Sequence, residues 1–269
     1  MIIDAWMQHP NAQWIANPMF DSLRRWKPGT WSDTSQPIEA TLTKMDLAGV
    51  TRGLLCAWHG PAGPMIGNDE VADLCRRHPD RFVGIASVDL YRPMDAVREL
   101  RRRVQQDGFK GLHVLPWVWG LPPDDRRYYP LFAECCELDI PFCTQVGHAG
   151  PLRESEPGRP IPYLDRVALE FPELRIVGGH IGVPWLGEMM SLVIKYPNVF
   201  IDTSGYKVSR YPRELVDYMG DNPRHRVLFG SNHPFWPAGD CIAGLETLGL
   251  DSSASTAFLA GNAQRVFKL

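Results

Sequence analysis

The chain has 269 residues, 44% of them hydrophobic and 22% charged, with a net charge of −3, a normal globular balance for one large domain. Lys and Arg are scattered and outnumbered by Asp and Glu, which excludes a nucleic-acid footprint, and no apolar run approaches the ~18 residues of a membrane span. The opening MIIDAW is apolar at once and lacks a basic leader, and the six cysteines form no CxxC pair, so a reduced, cytoplasmic setting is expected.

Taken in chain order, short β-branched runs alternate with helical patterns. A first strand is predicted at Ile2–Ala5, then a long loop over Pro10–Pro37 with Trp14, Trp26 and Trp31, and a helix at Ile38–Ala48. Strands two to four fall at Arg52–Ala57, Phe82–Val88 and Gly111–Leu115, with helices at Asn68–His78, Pro93–Gln106 and Tyr129–Leu138. Strands five to eight fall at Phe142–Val146, Arg175–Gly179, Val199–Thr203 and Arg226–Gly230. Their helices are Pro162–Phe171, Val183–Tyr196, Pro212–Met219 and Gly239–Leu248, before a terminal helix at Thr256–Phe267. The basic run Arg98–Arg103 reads as the solvated face of a helix. Eight strand–helix units predict a single α/β domain over 1–269, a (β/α)8 TIM barrel with 10–37 as its first βα loop. The open-sheet rival lacks GxGxxG after the first strand.

Of eight histidines, His78 and His225 precede strands at the opposite face and read as surface or capping residues. The other six, His9, His59, His113, His148, His180 and His233, lie at or just past the C-terminal end of a strand. Those positions are roughly a tenth of such a fold, where chance would put about one histidine, and this face carries the chemistry of barrels. Gathered imidazoles suit metal binding, proton transfer or carboxylate binding. His113 can equally be a hydrogen-bonded core residue, and His59, His9 and His233 can shape loops. Asp202 can orient a histidine or cap a turn, and Asp4 can serve His148 or His180 in the same way. Trp6, Trp58, Trp117, Trp119, Trp185 and Trp236 flank strand ends and can wall a pocket or pack an interface. No GxSxG elbow or phosphate loop is present.

The pieces IDA (Ile3–Ala5), VGHAG (Val146–Gly150), GGHIG (Gly178–Gly182), IDTSG (Ile201–Gly205), LFGSNHP (Leu228–Pro234) and GNAQRVF (Gly261–Phe267), in this order, resemble the amidohydrolase-2 family. That family includes aminocarboxymuconate semialdehyde decarboxylase and related decarboxylases, hydratases and lactonases. The resemblance implies a divalent metal, zinc first and manganese or iron as alternatives. It would be held by an HxH after strand one, a His after strand five and an Asp after strand eight, with a further His after strand six. Those positions fall on Trp6 and Gln8, His148, Asn232 and His180. Tryptophan is no ligand, and two amides are weak partners for zinc. Three readings follow. A displaced metal site can form from His9, His148, His180 and His233. The barrel can work without metal, with Trp6, Gln8, His59, His113 and Arg153 binding substrate beside further cations at Arg159, Lys207 and Arg210. Or the chain is a degenerate partner subunit of a catalytic barrel.

The first reading of function is an enzyme acting on a small carboxylated substrate, by decarboxylation or by hydrolysis of a lactone or C–N bond. His148 and His180 are central to it, and Asn232 and Asp202 belong to the catalytic set. A homo-oligomer, or a hetero-oligomer with a related barrel, is the family-level expectation.

Overall fold

Eight parallel strands close into a ring because each is a short apolar run that buries both faces, one in the barrel interior and one under a helix. The computed structural model describes residues 1–26, 35–222 and 225–269. The strands are β1 (Ile3–Met7), β2 (Arg52–Cys56), β3 (Trp58–Gly60), β4 (Gly63–Ile66), β5 (Phe82–Ile85), β6 (Leu112–His113), β7 (Phe142–Gln145), β8 (Ile176–Gly179), β9 (Val199–Asp202) and β10 (Val227–Leu228). β3 and β4 form an antiparallel hairpin outside the ring, so the barrel strands are the other eight. Ladders β1–β2–β5 and β6 through β10 are parallel. A bridge between Ala86 and Leu112 joins them on one side. On the other, Ala5 N donates to Phe229 O at 2.9 Å and Met7 pairs with His233. The chain is a (β/α)8 barrel, as the alternation of runs predicts.

The helices lie outside and bury one stripe each. The helix Pro93–Asp107 opens on a proline and ends at Gly108, whose φ of 71° closes the last turn. It buries Ala96, Val97, Leu100 and Arg103 at helical spacing. Arg98, Arg101 and Arg102 of the basic run are exposed, as expected, but Arg103 is 3% exposed and is bound by Asp69, Glu99 and Asp107.

Four expectations change. The first strand runs two residues further, which puts Trp6 and Met7 in the ladder. The first βα segment, expected as one long loop, holds short helices at Ala12–Ile15, Pro18–Phe20 and Asp21–Trp26, and Trp31 lies outside the described residues. The eighth helix is cut to Ala238–Ile242, followed by a 3₁₀ turn at Leu245–Leu248. His225 is fully buried rather than on the surface, and its ring bonds Ala254 O, which pins the C-terminal segment under the barrel. All six cysteines carry free thiols, and no helix among the described residues is long and apolar enough to cross a membrane.

Candidate active site

The C-terminal mouth of the barrel opens into a cavity of about 1020 Å³. Trp6, His148, His180, Gln145 and Asn232 form its floor side, and Trp26, Trp117, Phe235 and Trp236 are among its aromatic walls. The first βα segment contributes Phe20, Ser22 and Leu23. It is tied across the mouth where Ser22 Oγ donates to Gly150 O at 2.7 Å and Leu152 N to Met19 O at 2.9 Å.

The hydrogen bonds on the floor fix their own polarity. Gln8 is fully buried, and its Nε2 donates to the carbonyl oxygen of His233, which can only accept. The same nitrogen gives its other hydrogen to Asn232 Oδ1 at 3.0 Å, and Gln8 Oε1 accepts from Trp58 Nε1 at 3.4 Å. Asn232 therefore turns its Nδ2 to His180 Nε2 at 3.0 Å, and Nε2 must be the unprotonated, accepting nitrogen. The ring proton then sits on Nδ1, 3.0 Å from Ser204 Oγ. Burial, with the imidazoles of His148 and His113 nearby, pushes the His180 pKa down to about 3, so the ring is neutral.

This arrangement needs unusual backbone. His180, Ile181 and Asn232 have φ of 71°, 64° and 64°, in the left-handed region that non-glycine residues avoid. Gly205 lets the His180 ring lie flat against the chain; a Cβ there would stand 2.9 Å from His180 Cδ2. Below, Asp202 is fully buried. Its Oδ1 accepts from Ser204 N at 2.9 Å and its Oδ2 has no partner. Burial pushes its pKa up to about 7, opposed by the Ser204 hydrogen bonds. The turn-capping and histidine-linking roles expected of Asp202 therefore coincide, with Ser204 as the link. Asp4 does not reach a histidine: it bonds Ser231 N and Oγ and Trp6 N, and burial pushes it up to about 6.

The other expected residues divide. His148 is exposed on the cavity wall, close enough to His180 to lower its pKa. Trp6 is 1% exposed and meets His113 and His180 edge-on at 4.9 and 5.7 Å. Its indole packs on Gly179, where a Cβ would lie 2.7 Å from the ring. His113 is a core histidine: Nδ1 donates to Ala57 O at 2.9 Å and burial takes its pKa down to about 4. His59 stacks on Trp119 in the β3–β4 hairpin, and neither it nor the exposed Arg153 lines the cavity. Arg159 is bound to Glu188 and Lys207 to Asp240, while Arg210, exposed on the cavity rim, has no ion-pair partner among the described residues. Trp119 and Trp185 lie off the cavity, Trp185 under Arg159.

The four imidazoles of a displaced metal site do not converge. His9 Nδ1 and His233 Nε2 meet at Thr41 Oγ1, at 3.0 and 3.3 Å, apart from the His148–His180 pair. Among the described residues no three His, Cys, Asp or Glu side chains come together as a metal-holding group. At the positions where the resemblance puts ligands, Trp6 supplies no donor atom and Gln8 and Asn232 are spent on each other. The donor set does not fit a divalent ion. Sequence reasoning missed Ser204, although it stands inside the IDTSG segment, and Thr41, which nothing in the helix pattern distinguishes.

Against known proteins, the chain is 26% identical to the gamma-resorcylate decarboxylase of Rhodococcus jostii over 75% of each chain. An uncharacterized TIM-barrel protein from Bordetella bronchiseptica superposes with a TM-score of 0.83 at 25% identity, over 99% of this chain and 98% of that one. A dihydroxybenzoic acid decarboxylase from a Polaromonas species, solved with bound manganese and 2-nitroresorcinol, gives 0.72 at 20% identity over 100% and 97%, a likeness of fold alone. The amidohydrolase (Amidohydro_2) family model matches residues 38–269, and the chain belongs to that family.

Proposed function

We propose that the chain is a carboxy-lyase for a small aromatic acid, working in the barrel-mouth cavity. One observation carries this reading: an aromatic-walled cavity is floored by a neutral histidine held at both ring nitrogens, in a family member related to gamma-resorcylate decarboxylase. The cavity, about 1020 Å³, is at the upper end of the ~300–1,000 Å³ usual for small-molecule sites. Trp26, Trp117 and Trp236 offer ring faces and edges to a planar substrate. Arg210 on the rim supplies a fork for a carboxylate on its way in, whereas Lys207 is already spent on Asp240.

In the reaction the bond from ring carbon to carboxylate breaks, CO2 leaves, and the bonding pair stays on the ring carbon, which takes up a proton. The proton comes from solvent through the open mouth, and His180, neutral and fixed at both ring nitrogens by Ser204 and Asn232, orients the substrate on the floor. His148 hydrogen-bonds a substrate oxygen from the wall. The Polaromonas relative holds manganese; here the step is assigned to this chain's own imidazoles because the ligand positions carry Trp6, Gln8 and Asn232.

Incubation of the purified chain with 2,6-dihydroxybenzoate and other hydroxylated benzoates, followed by product and CO2 analysis, tests the reading. Turnover of at least one acid is expected, with His180→Ala slower by roughly 10²-fold. Inertness toward the whole panel would sink it. The rival reading, a noncatalytic partner barrel, is favoured by the replaced ligand positions. It requires copurification with a second barrel chain and no turnover alone.

A further inference from the structure

We propose that the barrel floor is a closed chain of neutral hydrogen bonds standing where a divalent ion would sit, so that His148 and His180 operate without a metal. The inference goes beyond the decarboxylase reading and stands whatever the substrate is.

Three features carry it. First, volume: the Trp6 indole fills the centre of the floor between His113 and His180, with Gly179 as its seat. Second, lone pairs: a zinc or manganese ion needs about four to six donor lone pairs converging on a point. Here the Nε2 lone pair of His180 receives Asn232 Nδ2, Asn232 Oδ1 receives Gln8 Nε2, and Gln8 Oε1 receives Trp58 Nε1. At these ligand positions only His148 keeps a lone pair that no protein hydrogen occupies, and one imidazole does not hold a divalent ion. Third, charge: Asp4 and Asp202, the buried carboxylates beneath the floor, face Ser231 and Ser204 and do not line the cavity. A dication here would meet amides and imidazoles and no anion, at a desolvation cost they cannot offset.

The consequence is chemical. A floor without an ion cannot act as a Lewis acid, but it holds His180 in one tautomer with an accepting Nε2. With that lone pair already taken by Asn232, the hydrogen bond to the substrate is left to His148, the exposed imidazole on the cavity wall.

The full-length chain is loaded with MnCl2 and, separately, ZnCl2, dialysed, and measured for bound metal by elemental analysis and for a thermal shift. Neither retained ion nor shift is expected. A parallel variant, Trp6→His with Gln8→His and Asn232→Asp, is expected to gain roughly one ion per chain. If that variant does not fold, the wild-type measurement decides alone. About one ion retained by the wild type and lost in His148→Ala or His180→Ala overturns the proposal, and leaves the decarboxylase reading standing. An ion held equally by the wild type and both variants sits elsewhere and leaves the floor neutral, as proposed.

Discussion

Residue by residue, the site is held by strain and by direction of hydrogen bonding. Left-handed backbone at His180, Ile181 and Asn232 costs of order 1–3 kcal/mol each, and persists because the surrounding bonds over-determine it. Gly205 is part of that support. Gly205→Ala would add strain at a φ of 81° and push a methyl to 2.9 Å from His180 Cδ2. Displacing the ring by ~1 Å is expected to lower kcat about 10²-fold, with a much smaller fall in Tm; equal losses in both would count against a positioning role. Asn232→Asp tests the tautomer. The carboxylate cannot donate to Nε2 and favours the imidazolium, so the His180 pKa should rise from about 3, read by NMR titration. An unmoved pKa contradicts the hydrogen-bond polarity described above. Trp6→Ala, which empties a fully buried indole, is expected to cost about 3–5 kcal/mol in urea unfolding.

Among the elements, two cases separate what a position on a strand end means from where its side chain goes. His59 follows β2, as a catalytic residue of a barrel would, but the chain turns at once into the β3–β4 hairpin and stacks the ring on Trp119. Arg153 lies on the loop after β7 and points to solvent, off the cavity. His59→Ala and Arg153→Ala are therefore expected to leave kcat/KM of any turned-over acid within about twofold, since surface substitutions away from a site are near neutral. The helix Pro93–Asp107 gives the second case. Its arginines look alike in sequence, yet Arg103 faces inward against three carboxylates. Arg103→Ala should cost about 1.5–3 kcal/mol by removing the charged hydrogen bonds of a buried guanidinium, while Glu99 keeps Arg102 and Asp107 keeps Arg76. Arg98→Ala, on the exposed face, should cost less than about 0.5 kcal/mol.

For the whole molecule, the buried titratable groups set opposed pH dependences. Asp4 and Asp202, raised from 3.8 to about 6 and about 7, contribute stability that is full below about pH 3.8 and lost as pH rises through those values. His113, lowered from 6.5 to about 4, and His180 and His233, lowered to about 3, contribute stability that is full above about pH 6.5 and lost as pH falls toward those values. His9, His59 and His225 shift the same way. The histidines outnumber the carboxylates, so unfolding free energy should decline on acidification from about pH 6.5 to about 4. Asp202→Asn removes an opposing contribution, so its stability should climb more steeply with pH than that of the wild type; a shallower climb would contradict the buried-carboxylate assignment.

By itself the sequence determined the barrel, since eight alternating apolar runs and helical stripes leave few ways to bury their faces, and it determined that six histidines fall at strand ends. It also exposed the loss of ligand types at Trp6, Gln8 and Asn232. Only the tertiary structure decided which imidazoles meet. His148 and His180 share one cavity, His9 and His233 meet at Thr41, and His113 and His59 turn away. The reason is directional: apolar burial is a property of a segment and survives in its pattern, whereas a hydrogen bond depends on atoms from strands far apart in the chain, such as Gln8, His180 and Asn232, arriving within 3.0 Å of one another.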